Sequence, residues 1–157
     1  MRRIVILLIL QIIATGFCFG QLPHTFTQYT SEDGLSQNTI MSILQDDKGV
    51  MWFATWDGLY KFDGYTFNNY KAHPGDSIGL SNNRLDNIKE DRYGYIWVQS
   101  YNHQVYRFNP RLERFQAIPY DNYLSLDMYV LPCGDVWIIT VQNELIHIST
   151  HPETHEM

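Results

Sequence analysis

Cysteine is scarce in this sequence, with two among 157 residues. Cys18 lies in an apolar N-terminal stretch, and Cys133 stands alone in the rest of the chain. A single cysteine cannot form an internal disulfide, which excludes a disulfide-stapled scaffold. Paired metal-binding cysteines and glycine-rich phosphate loops are also absent from the sequence. We therefore expect neither a metal nor a cofactor.

Basic residues are few, with 11 Lys and Arg against 17 Asp and Glu and a formal net charge of −6. No basic cluster interleaved with aromatic residues is present, so neither nucleic acid nor an anionic membrane surface is expected as a partner. Hydrophobic residues make up 45% of the chain and charged residues only 18%, a composition that can build a core. No segment after the N-terminus has a helical period, and the chain is predicted to be all-β.

Long apolar runs are confined to the N-terminus. Arg2 and Arg3 precede an apolar stretch from Ile4 to Ile13, and small residues follow up to Gly20. This layout predicts a secretory signal peptide over residues 1–20, because the apolar part is short for a membrane span. An uncleaved anchor is the alternative. Either predicts export, and in a bacterium a periplasmic location.

What the sequence does contain is a regular placement of aromatic residues and glycine. Gly49 permits a turn, Val50 to Thr55 form an aromatic and β-branched run, and Asp57-Gly58 introduces a second turn before Phe62. Asp-Gly between two such runs is a strong hairpin signal. We therefore predict two consecutive hairpin turns joining short strands.

The same pattern recurs along the chain at intervals of 45 and then 40 residues. The shared structural positions are Asp47, Gly49, Trp52, Gly58 and Phe62 in the first copy, Asp91, Gly94, Trp97 and Phe108 in the second, and Gly134 and Trp137 in the third. A period in the forties with about four short strands per unit is typical of β-propeller blades.

The domain prediction follows from these repeats. Residues 21–148 are predicted to form an incomplete propeller of about three four-stranded blades, with repeats near 39–70, 84–118 and 123–148 and an irregular tail at 149–157. Residues Thr25 to Tyr29 alternate in hydrophobicity and predict an additional strand. Three blades do not close a propeller, so we expect the front end of a longer protein, a truncated product, or closure by oligomerisation.

The copy from Gln45 to Phe62 resembles the repeat of the two-component regulator propeller family, with Asp47, Gly49 and Trp52 assigned to the motif. The opening from Phe26 to Asn38 is similar to the start of such sensor regions. The resemblance implies the periplasmic, carbohydrate-sensing region of a hybrid two-component histidine kinase. It implies that the rest of a sensor kinase is the partner, since this sequence has no kinase core, and that the chain itself is not an enzyme.

Two alternatives remain. The repeat also resembles the Asp-box hairpin of sialidase-like propellers, so the chain is alternatively a fragment of a carbohydrate-active enzyme. Such an enzyme needs a positioned pair of carboxylates or a tyrosine nucleophile, whereas the acids here occupy repeated turn positions and are expected to be structural. A self-assembling structural repeat protein is the third reading, with self-association covering open blade faces.

Candidate ligand-binding residues lie at the second turn, where the copies differ. They are Trp56, Tyr101, Asn102 and His103, and the expected ligand is an oligosaccharide that stacks on the aromatic rings. Loops that vary on a constant scaffold are where binding sites are usually built. His147, His151 and His155 are spaced by four, but Pro152 disfavours the helix that would make them a metal site.

Overall fold

The computed structural model describes residues 25–36, 39–72, 75, 79–118 and 124–149. Within them the fold is all-β, as predicted, apart from one 3-10 turn at Ser31–Asp33. The strands are β1 (Ile40–Gln45), β2 (Met51–Thr55), β3 (Gly58–Phe62), β4 (Phe67–Tyr70), β5 (Leu85–Glu90), β6 (Ile96–Ser100), β7 (Val105–Asn109), β8 (Arg114–Ala117), β9 (Ser125–Val130), β10 (Val136–Thr140) and β11 (Leu145–Ile148).

The strands form three antiparallel sheets in which each strand pairs with its neighbours in sequence. Sheet 1 has the order β1-β2-β3-β4, sheet 2 has the order β5-β6-β7-β8, and sheet 3 pairs β10 with both β9 and β11. The predicted blade architecture is confirmed, although sheet 3 has three strands among the described residues rather than the predicted four.

The hairpin between β2 and β3 is as tight as the Asp-Gly pair predicts. Thr55 pairs with Gly58, which leaves only Trp56 and Asp57 in the turn. Gly58 has φ +110, and a Cβ there would lie 2.5 Å from the carbonyl oxygen of Tyr70. Glycine is needed at this position for both backbone conformation and space.

Two apolar cores lie between successive sheets. One joins sheets 1 and 2 and is formed by Trp52, Ala54, Leu59, Leu80, Leu85, Ile88, Ile96, Val98, Tyr106 and Phe108. The other joins sheets 2 and 3 and is formed by Trp97, Val105, Met128, Val136 and Ile138. Burial of these side chains is the main stabilising contribution to the stack of sheets.

The tryptophan-bearing faces of sheets 1 and 2 each point toward the next sheet in sequence. Trp52 and Trp97 are each only 1% exposed, and the ring of Trp52 packs 5.6 Å from that of Phe108 in sheet 2. Trp137 occupies the same strand position in sheet 3 but is half-buried, and its ring stacks on that of His147 at 4.3 Å. The prediction that Trp137 is a core residue like Trp52 and Trp97 is therefore corrected, because no described sheet packs on that face.

The strand predicted at Thr25 to Tyr29 is wrong, since residues 25–30 form no strand and pair with no described strand. Tyr29 instead packs edge-on against Phe62 and Phe67, at 5.0 and 5.6 Å between ring centroids. The predicted signal peptide and most of the predicted tail lie outside the described residues. Among the residues that are described, no helix has the length and apolar character needed to cross a membrane.

Candidate functional site

One edge of the three sheets carries the second turn of every repeat, and we call this edge the turn rim. It comprises residues 56–57, 101–104 and 141–144, together with the residue that precedes the first strand of each sheet (β1, β5 and β9). The same backbone hydrogen bond recurs there in all three sheets, from Trp56 N to Thr39 O, from Tyr101 N to Arg84 O and from Val141 N to Leu124 O. This bond holds each turn against the start of the first strand of its own sheet.

Arg84 joins two predicted ligand-binding residues at the rim. Its guanidinium carbon lies 3.9 Å from the ring centroid of Trp56 and 3.7 Å from that of Tyr101. Both distances fall within the range of cation–π contacts. Trp56 is still 41% exposed and Tyr101 52% exposed, so both rings keep surface that faces solvent. The structure brings these two predicted residues together through an arginine that the sequence analysis did not single out.

Asn102 and His103, the other two predicted ligand-binding residues, are engaged within the protein. Asn102 Nδ2 donates to Ser81 Oγ at 3.0 Å, and its Oδ1 accepts from Ser100 Oγ. His103 has φ +65, and its Nδ1 lies 2.9 Å from the carbonyl oxygen of Ser125. A carbonyl oxygen only accepts, so Nδ1 carries the proton. These contacts give both residues a role in holding the turn against neighbouring segments.

An ionic network at the rim surrounds Asp57. Lys71 Nζ lies 2.6 Å from Asp57 Oδ2, and Ser36 Oγ donates to the same oxygen at 2.6 Å. Burial acts to raise the pKa of Asp57, but the hydrogen bonds from Lys71, Ser36 and Tyr60 and the charge of Lys71 outweigh it and leave the pKa lowered. Asp57 is therefore an ionised and already paired carboxylate.

A Gly-Leu-Ser segment precedes both sheet 1 (residues 34–36) and sheet 2 (residues 79–81). Ser36 hydrogen-bonds to the Tyr60 hydroxyl, and in the next sheet Ser81 Oγ lies 2.7 Å from the Tyr106 hydroxyl. The leucine that precedes each serine is buried, with exposures of 4% and 3%. This segment thus docks a loop onto the third strand of sheet 1 and of sheet 2.

The opposite edge, which we call the cap edge, carries the first glycine turns. Asp46 accepts hydrogen bonds from Lys48 N, Val50 N and Trp52 Nε1 at 3.0, 2.8 and 2.9 Å. Asp91 makes the same bonds in sheet 2, including one of 2.8 Å from Trp97 Nε1. The capping acid of the first repeat is therefore Asp46, which corrects the assignment of Asp47. The equivalence with Asp91, 45 residues later, was the signal for it.

Glu90 brings a further carboxylate to the cap edge. Its Oε2 accepts from Asp47 N at 3.0 Å. Burial, together with the nearby charges of Asp47 and Asp46, raises the pKa of Glu90 to about 7. Asp46 and Asp91 each accept several hydrogen bonds from the turn that they cap and from the following tryptophan.

A cleft of about 410 Å³ also lies at the cap edge, and it is lined by Lys48, Tyr93, Gly94, Tyr95, Asn109, Pro110 and Arg111. No group of three or more metal-ligating side chains occurs among the described residues. The rim and this cleft are two surfaces of the described residues that a ligand could use.

Comparison with known proteins bears on the repeat itself. Residues 34–57 match the family described as two component regulator propeller. The chain carries a two component regulator propeller repeat. The matched residues run from the docking segment before β1, through the capped turn at Asp46, to the rim turn at Asp57. The regulator propeller repeat thus contributes to both edges of sheet 1.

A curated relative is the histidine kinase P4 of Formosa agariphila, which is 48% identical over 56 residues. The match covers 36% of this chain and 4% of the kinase. This chain is therefore similar to a small part of a much longer protein.

Solved structures agree with the propeller fold. The extracellular domain of the putative hybrid two component system BT3049 from B. thetaiotaomicron has a TM-score of 0.63 at 23% identity, covering 84% of this chain and 21% of that one. The extracellular domain of BT4673 from the same organism has a TM-score of 0.54 at 24% identity, covering 71% and 16%. The chain spans about a fifth of the length of these neighbours.

Proposed function

We propose that this chain is the N-terminal part of a periplasmic sensor propeller of a hybrid two-component histidine kinase, and that it binds an oligosaccharide at the turn rim. The chain itself is non-catalytic in this proposal, and the remainder of the sensor carries the signal. The regulator propeller repeat and the extracellular domains to which the chain is similar support the assignment to a sensor.

The observation that carries the binding site is the pair of exposed rings at one rim. Trp56 and Tyr101 come from different sheets, keep 41% and 52% of their surface exposed, and lie with their ring centroids 3.9 and 3.7 Å from one guanidinium carbon. Aromatic faces fixed by neighbouring contacts provide the apolar stacking surface that a sugar ring needs, with little loss of side-chain entropy. A bound ligand would signal only through a difference in affinity between two states of the sensor.

Binding is tested by calorimetry with a panel of neutral and charged oligosaccharides on the purified chain. Trp56→Ala and Tyr101→Ala are expected to weaken binding about tenfold each. Tyr65→Ala is the matched control, because Tyr65 is 92% exposed but lies in the β3–β4 turn at the cap edge. Equal losses in all three variants, or no binding by any oligosaccharide, would contradict the proposed site.

The same samples separate the alternative functions. Release of new reducing ends from the panel would indicate a carbohydrate-active enzyme. A mass in solution that grows with concentration would indicate self-assembly. Export is tested separately, by fractionating cells and sequencing the N-terminus of the mature chain, where Gln21 is the expected first residue.

A further inference from the structure

Arg84 holds a positive charge at the rim without an acidic partner. Among the described residues no carboxylate lies within ion-pair distance of it, and its Nε is buried with no hydrogen-bond acceptor. The backbone around it is well fixed, since Arg84 N donates to Asn82 Oδ1 at 2.9 Å and Arg84 O accepts from Tyr101 N at 2.8 Å. The guanidinium is therefore positioned while its polar edge is unused.

The two aromatic contacts leave that edge available to a ligand. A cation–π contact engages the charge of the guanidinium and does not use its N–H groups as hydrogen-bond donors to an acceptor. The buried Nε is closed to a ligand, so a ligand would bind through the terminal N–H groups. A planar anionic group matches such donors best.

The electrostatic surroundings favour an anion at this point, although the chain is acidic with a net charge of −6. Two acidic residues lie near these groups in sequence. Asp57 follows Trp56 directly and is paired with Lys71 at 2.6 Å, so its charge is compensated and does little to repel an anion near Trp56. Asp86 follows Arg84 by two residues, and among the described residues it forms no ion pair with Arg84. Arg84 is thus a local positive site in an otherwise acidic protein.

We propose that Arg84 recognises an anionic substituent, a carboxylate or a sulfate ester, on an oligosaccharide whose ring stacks on Trp56 or Tyr101. This inference rests on the oligosaccharide binding proposed above and specifies its chemical class. The aromatic rings supply affinity for the sugar, and the arginine selects the charged sugar over its neutral counterpart.

Calorimetry with two matched pairs of probes tests the preference for charge. One pair is tetragalacturonate and its methyl ester, and the other is 6′-sulfolactose and lactose. At least one charged probe is expected to bind about tenfold more tightly than its neutral partner, and added salt should weaken only the charged probe. Arg84→Gln should abolish the preference, while Arg84→Lys, which keeps charge but not the planar fork, should retain part of it. Urea unfolding of each variant confirms that it is folded.

Two further arginines serve as controls. Arg107 also stacks on a tyrosine, at 4.6 Å from the ring of Tyr95, but its Nη2 donates to Gln116 at 3.0 Å. Arg111 lines the cleft at the cap edge. Arg107→Gln and Arg111→Gln should both keep the preference for the charged probe. Loss of the preference in Arg111→Gln but not in Arg84→Gln would move the anion site to the cleft and overturn the inference.

Other outcomes are equally decisive. Neutral and charged probes that bind alike, but depend on Trp56, would overturn the role of Arg84 and leave the proposed function standing. No binding by any of the four probes would overturn the inference about Arg84, and only a lack of binding across the whole oligosaccharide panel would contradict the proposed function as well. Inorganic sulfate that binds as tightly as 6′-sulfolactose would mean an ion site in which the rings take no part.

Discussion

Replacing Asp46 by alanine tests whether the capped turn stabilises sheet 1. Asp46 accepts two backbone hydrogen bonds and one from Trp52 Nε1. Trp52 is 1% exposed, so its indole N–H would lose its acceptor in a site that water enters poorly. Asp47 is the matched control, because it adjoins Asp46 in the same turn but its side chain is exposed.

The magnitude follows from these three bonds. A buried donor left without a partner costs about 1–3 kcal/mol, and each backbone bond near the surface adds about 0.5–1 kcal/mol. The expected loss for Asp46→Ala is therefore about 3 kcal/mol, which lowers Tm by about 10 °C for a chain of this size. Asp47→Ala is expected to change stability by less than about 0.5 kcal/mol.

Urea unfolding followed by tryptophan fluorescence measures both variants. The midpoint of Asp46→Ala should fall with an unchanged slope, since a changed slope would mean that the denatured or native state itself had altered. Equal stability of the two variants, or a larger loss in Asp47→Ala, would refute the assignment of the cap to Asp46.

Three further predictions concern a charge, a turn and a sheet face. The raised pKa of Glu90 means that the folded state binds its proton more tightly than the unfolded state, so wild-type stability should fall as pH rises from about 4.5 through about 7. Glu90→Gln should lack this fall and, after allowance for solvent screening, should be about 1 kcal/mol more stable than the wild type at pH 8. Urea unfolding at about pH 4.5 and at about pH 8 will measure the free energy of unfolding of both proteins. A pH dependence like that of the wild type would contradict the prediction. Gly58→Ala should destabilise the protein by more than about 2 kcal/mol because the new Cβ would meet backbone. Gly64→Ala has open space around it and should cost about 1 kcal/mol. Thermal melts measure both variants, and equal losses would contradict this prediction. Trp97→Ala should cost about 4 kcal/mol and Trp137→Ala less than half of that, and similar losses in urea unfolding would contradict the half-buried position of Trp137.

Local chemistry in the sequence determined the secondary structure and the period of the repeat. Turn formation at Gly49 and at Asp57-Gly58 depends on the backbone freedom of a few adjacent residues, so it was visible without tertiary information. The aromatic and β-branched runs that follow each turn predicted the strands, and the spacing of 45 and 40 residues predicted repeated blades. Trp56 and Tyr101 were both predicted to contact a ligand because they stand at equivalent turns of two repeats.

Tertiary contacts, within a sheet and between sheets, decided what the sequence left open. The choice between Asp46 and Asp47 depended on which carboxylate reaches the indole of Trp52, a distance that adjacency in sequence does not specify. Trp137 looked equivalent to Trp97 in sequence, but burial depends on whether another sheet covers the face, and no described sheet covers that of Trp137. Arg84 became part of the rim site only because the stacking of sheet 1 on sheet 2 brings residues 56, 84 and 101 together. Turns are set by short-range backbone energetics, whereas a site shared between blades exists only once the blades have packed.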